Sequence, residues 1–234
     1  MNNSILTRLE IDVMQINEIQ EASELAFKYG LPAIIVHPNL SSDAIIARQR
    51  MNGKFKIITP IDWPKGEAFG TTKLRGITID TFETDGFEFL LTPKKSKGDT
   101  CNEAKALTEF IKKRMSELAE IRFVIGTSMR PDENIMTLCE GMIGVPSPNL
   151  IRTDILTKTQ LNKANADEHN RHITTISSII RLPIKVSGNI NSMKSMAACV
   201  GAAKFAVSLV QAKAIIKEYN SQPQQLQKIL SSDE

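Results

Sequence analysis

Cysteine is scarce in this sequence, and its spacing is irregular. The 234 residues contain three cysteines, Cys101, Cys139 and Cys199, too few and too far apart for a disulfide framework. An odd, sparse set is typical of reduced thiols, so we expect a cytoplasmic protein. The first residues, which include Arg8 and Glu10, contain no apolar stretch of signal-peptide length.

Long apolar runs and a strong charge of one sign are also lacking. No run approaches the ~18 apolar residues of a membrane helix, so we expect no membrane partner. The 29 basic and 26 acidic residues leave a net charge of +3 that is spread along the chain, so charge gives no indication of nucleic-acid binding. The glycine-rich turn of dinucleotide-binding folds is missing as well. The 41% hydrophobic and 24% charged residues are typical of a soluble globular protein with a sizeable core.

The sequence does contain a regular alternation of short apolar runs with amphipathic stretches. The runs predict strands over 9–13, 32–36, 54–59, 86–91, 122–125, 149–152, 183–186 and 203–207. The stretches predict helices over 16–29, 41–51, 71–82, 102–118, 132–140, 166–180, 192–199 and 208–219. This order favours an α/β protein that folds as a single (β/α)8 barrel, or TIM barrel, for which ~250 residues are typical. We expect the barrel over 1–219 and a polar tail or short helix over 220–234.

Three charged residues lie inside the apolar runs. Glu88, Arg152 and Lys185 fall in the fourth, sixth and seventh strands. An unpaired charge in a barrel strand is costly, so we expect the three to meet at the C-terminal mouth, where barrels place their active sites. A cation beside Lys185 would favour a nucleophilic amine, and a carboxylate could move protons. A structural ion cluster is the alternative, and the pattern alone leaves both open.

Polar residues after the strands suggest a ligand site. Ser187, Gly188 and Asn189 follow the seventh strand and Ser208 follows the eighth, where barrels usually bind phosphate. His37 ends the second strand, and site and loop roles are equally compatible with it. His169 and His172 are three residues apart with no third ligand nearby, so we expect no metal.

Seven stretches in register resemble the deoxyribose-phosphate aldolase family, or more broadly the class I aldolase barrels. They are IIVHPN (34–39), DWPKGEAFGTTKLRG (62–76), DGFEFLLTP (85–93), RFVIGTSM (122–129), NLIRTD (149–154), IKVSGNIN (184–191) and GAAKFAVS (201–208). The resemblance implies a barrel lyase without metal or organic cofactor. It also implies a small phosphorylated carbonyl substrate and leaves a homo-oligomer open.

The resemblance assigns roles to the strand charges, with one departure. Lys185 matches the family's second active-site lysine, and Glu88 matches its proton-shuttling aspartate. Arg152 stands where the family has its Schiff-base lysine, and arginine cannot form an imine. In the implied substrate site, Asp154 begins the altered turn after that position. His37 matches a polar position there, and Ser208 keeps a hydroxyl after the eighth strand.

Three functions follow from these residues. The first is an aldolase-type lyase with the nucleophile moved to Lys185, Glu88 as acid and base, and Arg152 holding an anionic group. The second is a catalytically inactive barrel that serves as a binding or assembly subunit. The third is a non-covalent enzyme in which Arg152 stabilises an enolate and Glu88 moves the proton.

Overall fold

The fold is a closed barrel of eight parallel strands. The computed structural model describes residues 5–62, 74, 77, 81, 83–91, 96–115, 118–126, 132–145, 148–154 and 166–222. The strands are β1 (Leu9–Val13), β2 (Ala33–Val36), β3 (Lys56–Ile61), β4 (Gly86–Leu90), β5 (Glu120–Gly126), β6 (Leu150–Asp154), β7 (Ile184–Ser187) and β8 (Lys204–Ser208). Each strand pairs in parallel with the next, and β8 pairs with β1 to close the barrel. The expected (β/α)8 architecture is thereby confirmed.

Helices follow most of the strands. They are α1 (Ile19–Tyr29), α2 (Ser41–Arg50), α3 (Lys97–Arg114), α4 (Asp132–Gly141), α5 (Ala166–Ser177), α6 (Met193–Ala198) and α7 (Leu209–Ser221). Most of the helix predicted over 71–82, and the tail beyond 222, lie outside the described residues. Among the described helices, none is both long and apolar enough to cross a membrane.

Local sequence explains where several elements begin and end. Helix α1 ends at Gly30, which adopts the left-handed conformation at φ 65°. A residue without Cβ adopts this conformation at little cost in free energy. The helix predicted to begin at residue 102 instead begins at Lys97, because the Ser96 side chain accepts a hydrogen bond from the Asp99 amide. β3 lies two residues later than predicted, over Lys56–Ile61, and α5 ends at Ser177 instead of residue 180.

The two faces of the sheet differ sharply in polarity. Outward-facing side chains such as Ile11, Phe89 and Phe123 are buried in the main core beneath the helices. Inside the barrel, an apolar cluster is confined to β2, β3 and β8, where it consists of Ala33, Ile35, Ile58 and Ala206. Each of the remaining strands carries at least one charged side chain at an interior position, and these charges form the candidate site.

Candidate active site

The three strand charges singled out in the sequence meet inside the barrel. Arg152 Nη1 donates to Glu88 Oε2 at 2.8 Å, and the Lys185 ammonium donates to the other oxygen of the same carboxylate. Strand register explains the meeting, because Arg152 on β6 is the direct partner of Lys185 on β7. Glu88 reaches them from β4, on the far side of β5.

Two further charges that the sequence reasoning left without a role complete this centre. Glu10 projects from β1 and accepts hydrogen bonds from Lys185 Nζ at 2.8 Å and from Arg122 Nη1 at 2.7 Å. Arg122, the β5 partner of Glu88, also donates to Glu88 Oε1 at 3.2 Å. Like the other three, Glu10 and Arg122 are charges within apolar strands, so the same signal could have identified them.

Asp12 covers this centre on the side of the mouth. Its two oxygens accept from Arg152 Nη1 at 3.0 Å and from Nη2 at 2.7 Å, a bidentate pair. The Asp12 side chain is 15% exposed. Arg152 therefore bridges a carboxylate at the rim of the barrel and the Glu88 carboxylate beneath it.

The six residues form one ion cluster that is closed to solvent below Asp12. The ion cluster consists of Glu10, Asp12, Glu88, Arg122, Arg152 and Lys185. Glu10, Glu88, Arg122 and Lys185 are 0% exposed, and Arg152 is 2% exposed. Three carboxylates balance three cations, so the cluster carries no surplus charge. Such pairing is what allows ionised groups to remain in a barrel interior.

The neighbouring charges shift the pKa values within the ion cluster. Burial alone would raise the pKa of Glu88, but Lys185, Arg152 and Arg122 outweigh it and lower that pKa to about 2. The pKa of Glu10 is held well below its ordinary value by Lys185 and Arg122 despite its burial. Burial lowers the pKa of Lys185, against the opposing effect of the two carboxylates. Glu10 and Glu88 are therefore held in their ionised form, whereas burial raises the pKa of Asp12 against the opposing effect of Arg152.

The ion pairs continue toward the opposite end of the barrel. Lys204 Nζ donates to Glu10 Oε1 at 2.9 Å, and Arg122 Nη2 donates to Glu120 Oε2 at 2.6 Å. Glu120 is in turn paired with Lys56, whose side chain is 47% exposed. A chain of ion pairs therefore extends from Asp12 at the C-terminal mouth to Lys56 at the N-terminal end of β3.

The predicted phosphate-binding residues lie together at the ends of β7 and β8, but several of their hydrogen-bonding groups are engaged. Ser187 Oγ donates to the Thr153 carbonyl at 2.7 Å. Gly188 and Asn189 form a left-handed turn, at φ 95° and 48°, and the Gly188 carbonyl bonds buried His169. The Ser208 amide donates to the Gln211 side chain at 2.9 Å.

The helix that follows β7 is also capped from within the chain. The Met193 amide at its start donates to the Glu218 carboxylate at 2.8 Å, and Ser192 and Ser195 form a capping box. A carboxylate therefore stands at the N-terminal end of α6, where an anionic ligand would be repelled. The phosphate site stays a prediction, and these contacts count against it.

The two remaining predicted residues, His37 and Asp154, stand at the C-terminal ends of β2 and β6. His37 is half-buried after β2, and its Nδ1 is 2.5 Å from Asn39 Oδ1. Asp154 closes β6 and pairs with Gly126. The described residues contain no group of three His, Cys, Asp or Glu side chains suited to hold a metal ion.

Comparison with known proteins supports the barrel assignment. No protein-family model matches the chain, and no curated protein matches its sequence. A tetrameric deoxyribose phosphate aldolase from Aeropyrum pernix superimposes with a TM-score of 0.78 at 13% identity, over 94% of this chain and 93% of that one. An aldolase named QR15 has a TM-score of 0.74 at 16% identity, over 98% and 99% of the two chains.

A barrel of different activity is also similar. The N-acetylmannosamine-6-phosphate 2-epimerase from Clostridium perfringens has a TM-score of 0.58 at 15% identity, over 99% of this chain and 95% of that one. The resemblance to deoxyribose-phosphate aldolases seen in the sequence is therefore matched by an aldolase-like fold. At such identities the likeness establishes the fold, and activity has to be argued from the residues.

Proposed function

We propose that this protein is a catalytically inactive aldolase-like barrel that serves as a binding or assembly subunit. One observation carries the proposal: Lys185, the remaining candidate amine, is 0% exposed and bonded to two carboxylates within a charge-balanced cluster. The cluster fills the barrel interior beneath Asp12, so a substrate would have to displace it to reach Lys185.

Imine formation at Lys185 would require three changes at once. The substrate carbonyl must reach Nζ, although Lys185 is fully buried and shares the Glu88 carboxylate with Arg152. The ammonium must lose its proton, which burial favours by lowering its pKa but which Glu10 and Glu88 oppose. Both carboxylates would then lose a cationic partner in a site closed to water, which is costly.

The mouth is also better suited to protein than to a phosphorylated metabolite. The amides of Met193 and Ser208 already have partners, and Glu218 places a negative charge beside the first of them. The rim near β1 and β8 instead carries apolar side chains, of which Ile16 is 64% and Val210 75% exposed. Exposed apolar side chains of this kind are common at protein interfaces. We expect further copies of the chain or another protein there, in the cytoplasm.

A second candidate is the lyase with its nucleophile moved to Lys185, acting on a small phosphorylated aldehyde or sugar. The observation in its favour is that burial lowers the pKa of Lys185, as a nucleophilic amine requires. Glu88 would then serve as the acid and base, and Arg152 would hold an anionic group. This activity requires an opened state in which Arg152 leaves Asp12.

Borohydride trapping separates the two candidates. The full chain is incubated with a panel of small aldehydes and their phosphates, reduced, and examined by intact mass and peptide mapping. The inactive barrel predicts no adduct at Lys185. The lyase predicts an adduct that maps to Lys185 and disappears in Lys185→Arg, with Lys213→Arg as the matched surface control.

A further inference from the structure

An apolar groove lies on the face of the barrel opposite the mouth. It has a volume of about 430 Å³ and is formed by the end of α1, the start of β2 and the segment before β3. Phe27, Leu31, Pro32 and Phe55 line it. Leu31 and Phe55 are buried, but the Phe27 side chain is 54% exposed, which is unusual for an aromatic ring beside a core.

The floor of the groove is open to contact. A Cβ placed on Gly30 would meet no heavy atom within 4 Å, so space remains beside the turn that ends α1. Lys54 stands among the lining residues and provides a cation at the edge of the groove. The groove therefore suits an apolar segment flanked by acidic groups.

The end of α7 brings the chain to this groove. α7 lies beside α1, where Lys213 Nζ is 2.7 Å from Glu21 Oε1, and near its end Asn220 Nδ2 donates to Tyr29 Oη at 2.9 Å. Tyr29 directly precedes Gly30 of the groove. Helix α7 ends at Ser221, and the five residues from there to Leu226 reach ~17 Å when extended, so Leu226 can lie beside Tyr29 and Gly30.

The sequence after α7 has the composition that the groove requires. Leu226, Ile229 and Leu230 are spaced as one apolar stripe, and the acidic Asp233 and Glu234 follow them. We propose that this segment of the same chain packs its apolar stripe onto Phe27 and fills the groove. The placement of α7, the length of the connection and the charge at Lys54 support this occupant over a separate partner.

Thiol labelling tests the proposal in the full chain. Asn52, an exposed residue that lines the groove, is changed to Cys in a Cys101→Ser background and labelled with a maleimide. The labelling is done with the natural tail and with a tail in which Leu226, Ile229 and Leu230 are changed to Ser. We expect labelling at position 52 to be at least about tenfold slower with the natural tail, because the tail must open before the thiol reacts. Val200→Cys, at an exposed position elsewhere, is the matched control and should label equally in both.

The dependence of this protection on protein concentration distinguishes the tail of the same chain from a second copy of the protein. Protection independent of protein concentration supports the proposal, whereas protection that is lost on dilution assigns the groove to a second copy and overturns it. Equal rates with both tails would overturn it too. As a reciprocal measurement, Ile229→Cys should be protected with natural Phe27 and should lose that protection with Phe27→Asp.

Discussion

Removing the Lys185 ammonium should destabilise the protein severely. Lys185→Met deletes the cation that pairs with Glu10 at 2.8 Å and with Glu88, both 0% exposed, and leaves three carboxylates against two cations in the ion cluster. Leaving a buried charge without its partner typically costs about 3–5 kcal/mol. For a domain of this size that cost corresponds to a fall in Tm of roughly 6–20 °C.

The assay is urea denaturation of the parent and the variant, followed by circular dichroism. Lys213→Met is the matched control, because the Lys213–Glu21 pair is about half exposed and should contribute less than about 1 kcal/mol. Lys185→Met combined with Glu88→Leu should recover part of the loss, since it removes the surplus charge. A loss below about 1 kcal/mol for Lys185→Met would refute the reasoning, because it would show that the carboxylates do not depend on this cation.

Three other predictions follow from the described contacts. Acid should unfold the protein between pH ~4.5 and ~2, because the pKa of Glu88 is lowered to about 2 in the folded state. The free energy of unfolding should fall by roughly 3 kcal/mol as the pH falls through that window, which an acid titration followed by circular dichroism measures. Glu88→Gln should abolish that part of the transition. Arg152→Lys should lower the free energy of unfolding in urea by about 1–3 kcal/mol, because an ammonium cannot make the bidentate pair with Asp12. Aldolase activity in this variant without a loss of stability would contradict the structural role of Arg152. In thiol titration of the native protein, Cys101 should react first, because burial raises the pKa of Cys139 to about 12 and that of Cys199 to about 11.

The barrel could be predicted from the sequence because its strands are short apolar runs at regular intervals. The first run, Leu9–Val13, is the least apolar in pattern but still forms a strand. It pairs with β2 on one side and with β8 on the other, and these pairings close the sheet. Boundaries were less accurate where a side chain decides them. The Ser96 cap moved the start of α3, and no apolar periodicity marks such a position.

The centre of the site could be predicted in part. Glu88, Arg152 and Lys185 were identified because a charge inside an apolar run is expensive without a partner. Glu10 was missed, although it meets the same physical condition, because it lies in a run where charged and apolar residues alternate. Its partners Arg122 and Lys185 are 112 and 175 residues away in sequence, and local patterns carry no information on such pairings.

The solvent exposure and the partners of these charges could not be predicted from the sequence. The sequence allowed both a reactive amine and a structural ion cluster, and the difference between them lies in solvent access and in the number of partners. Lys185 has two carboxylate partners and no exposure, and Arg152 joins one of those carboxylates to Asp12 at the mouth. Likewise, the glycine, asparagine and serine after β7 and β8 suggested phosphate, but the hydrogen bond from Met193 to Glu218 became visible only in three dimensions.

The most direct test of the inactive barrel is reductive methylation of the native protein with ¹³C-formaldehyde and cyanoborohydride. Formaldehyde is the smallest carbonyl, so methylation reports whether an amine can form an imine at all. We predict that exposed lysines such as Lys97 and Lys213 become dimethylated, while Lys185 is recovered unmodified until the protein is unfolded in urea. Methylation of Lys185 in the folded protein, at a rate comparable to that of the exposed lysines, would contradict the account.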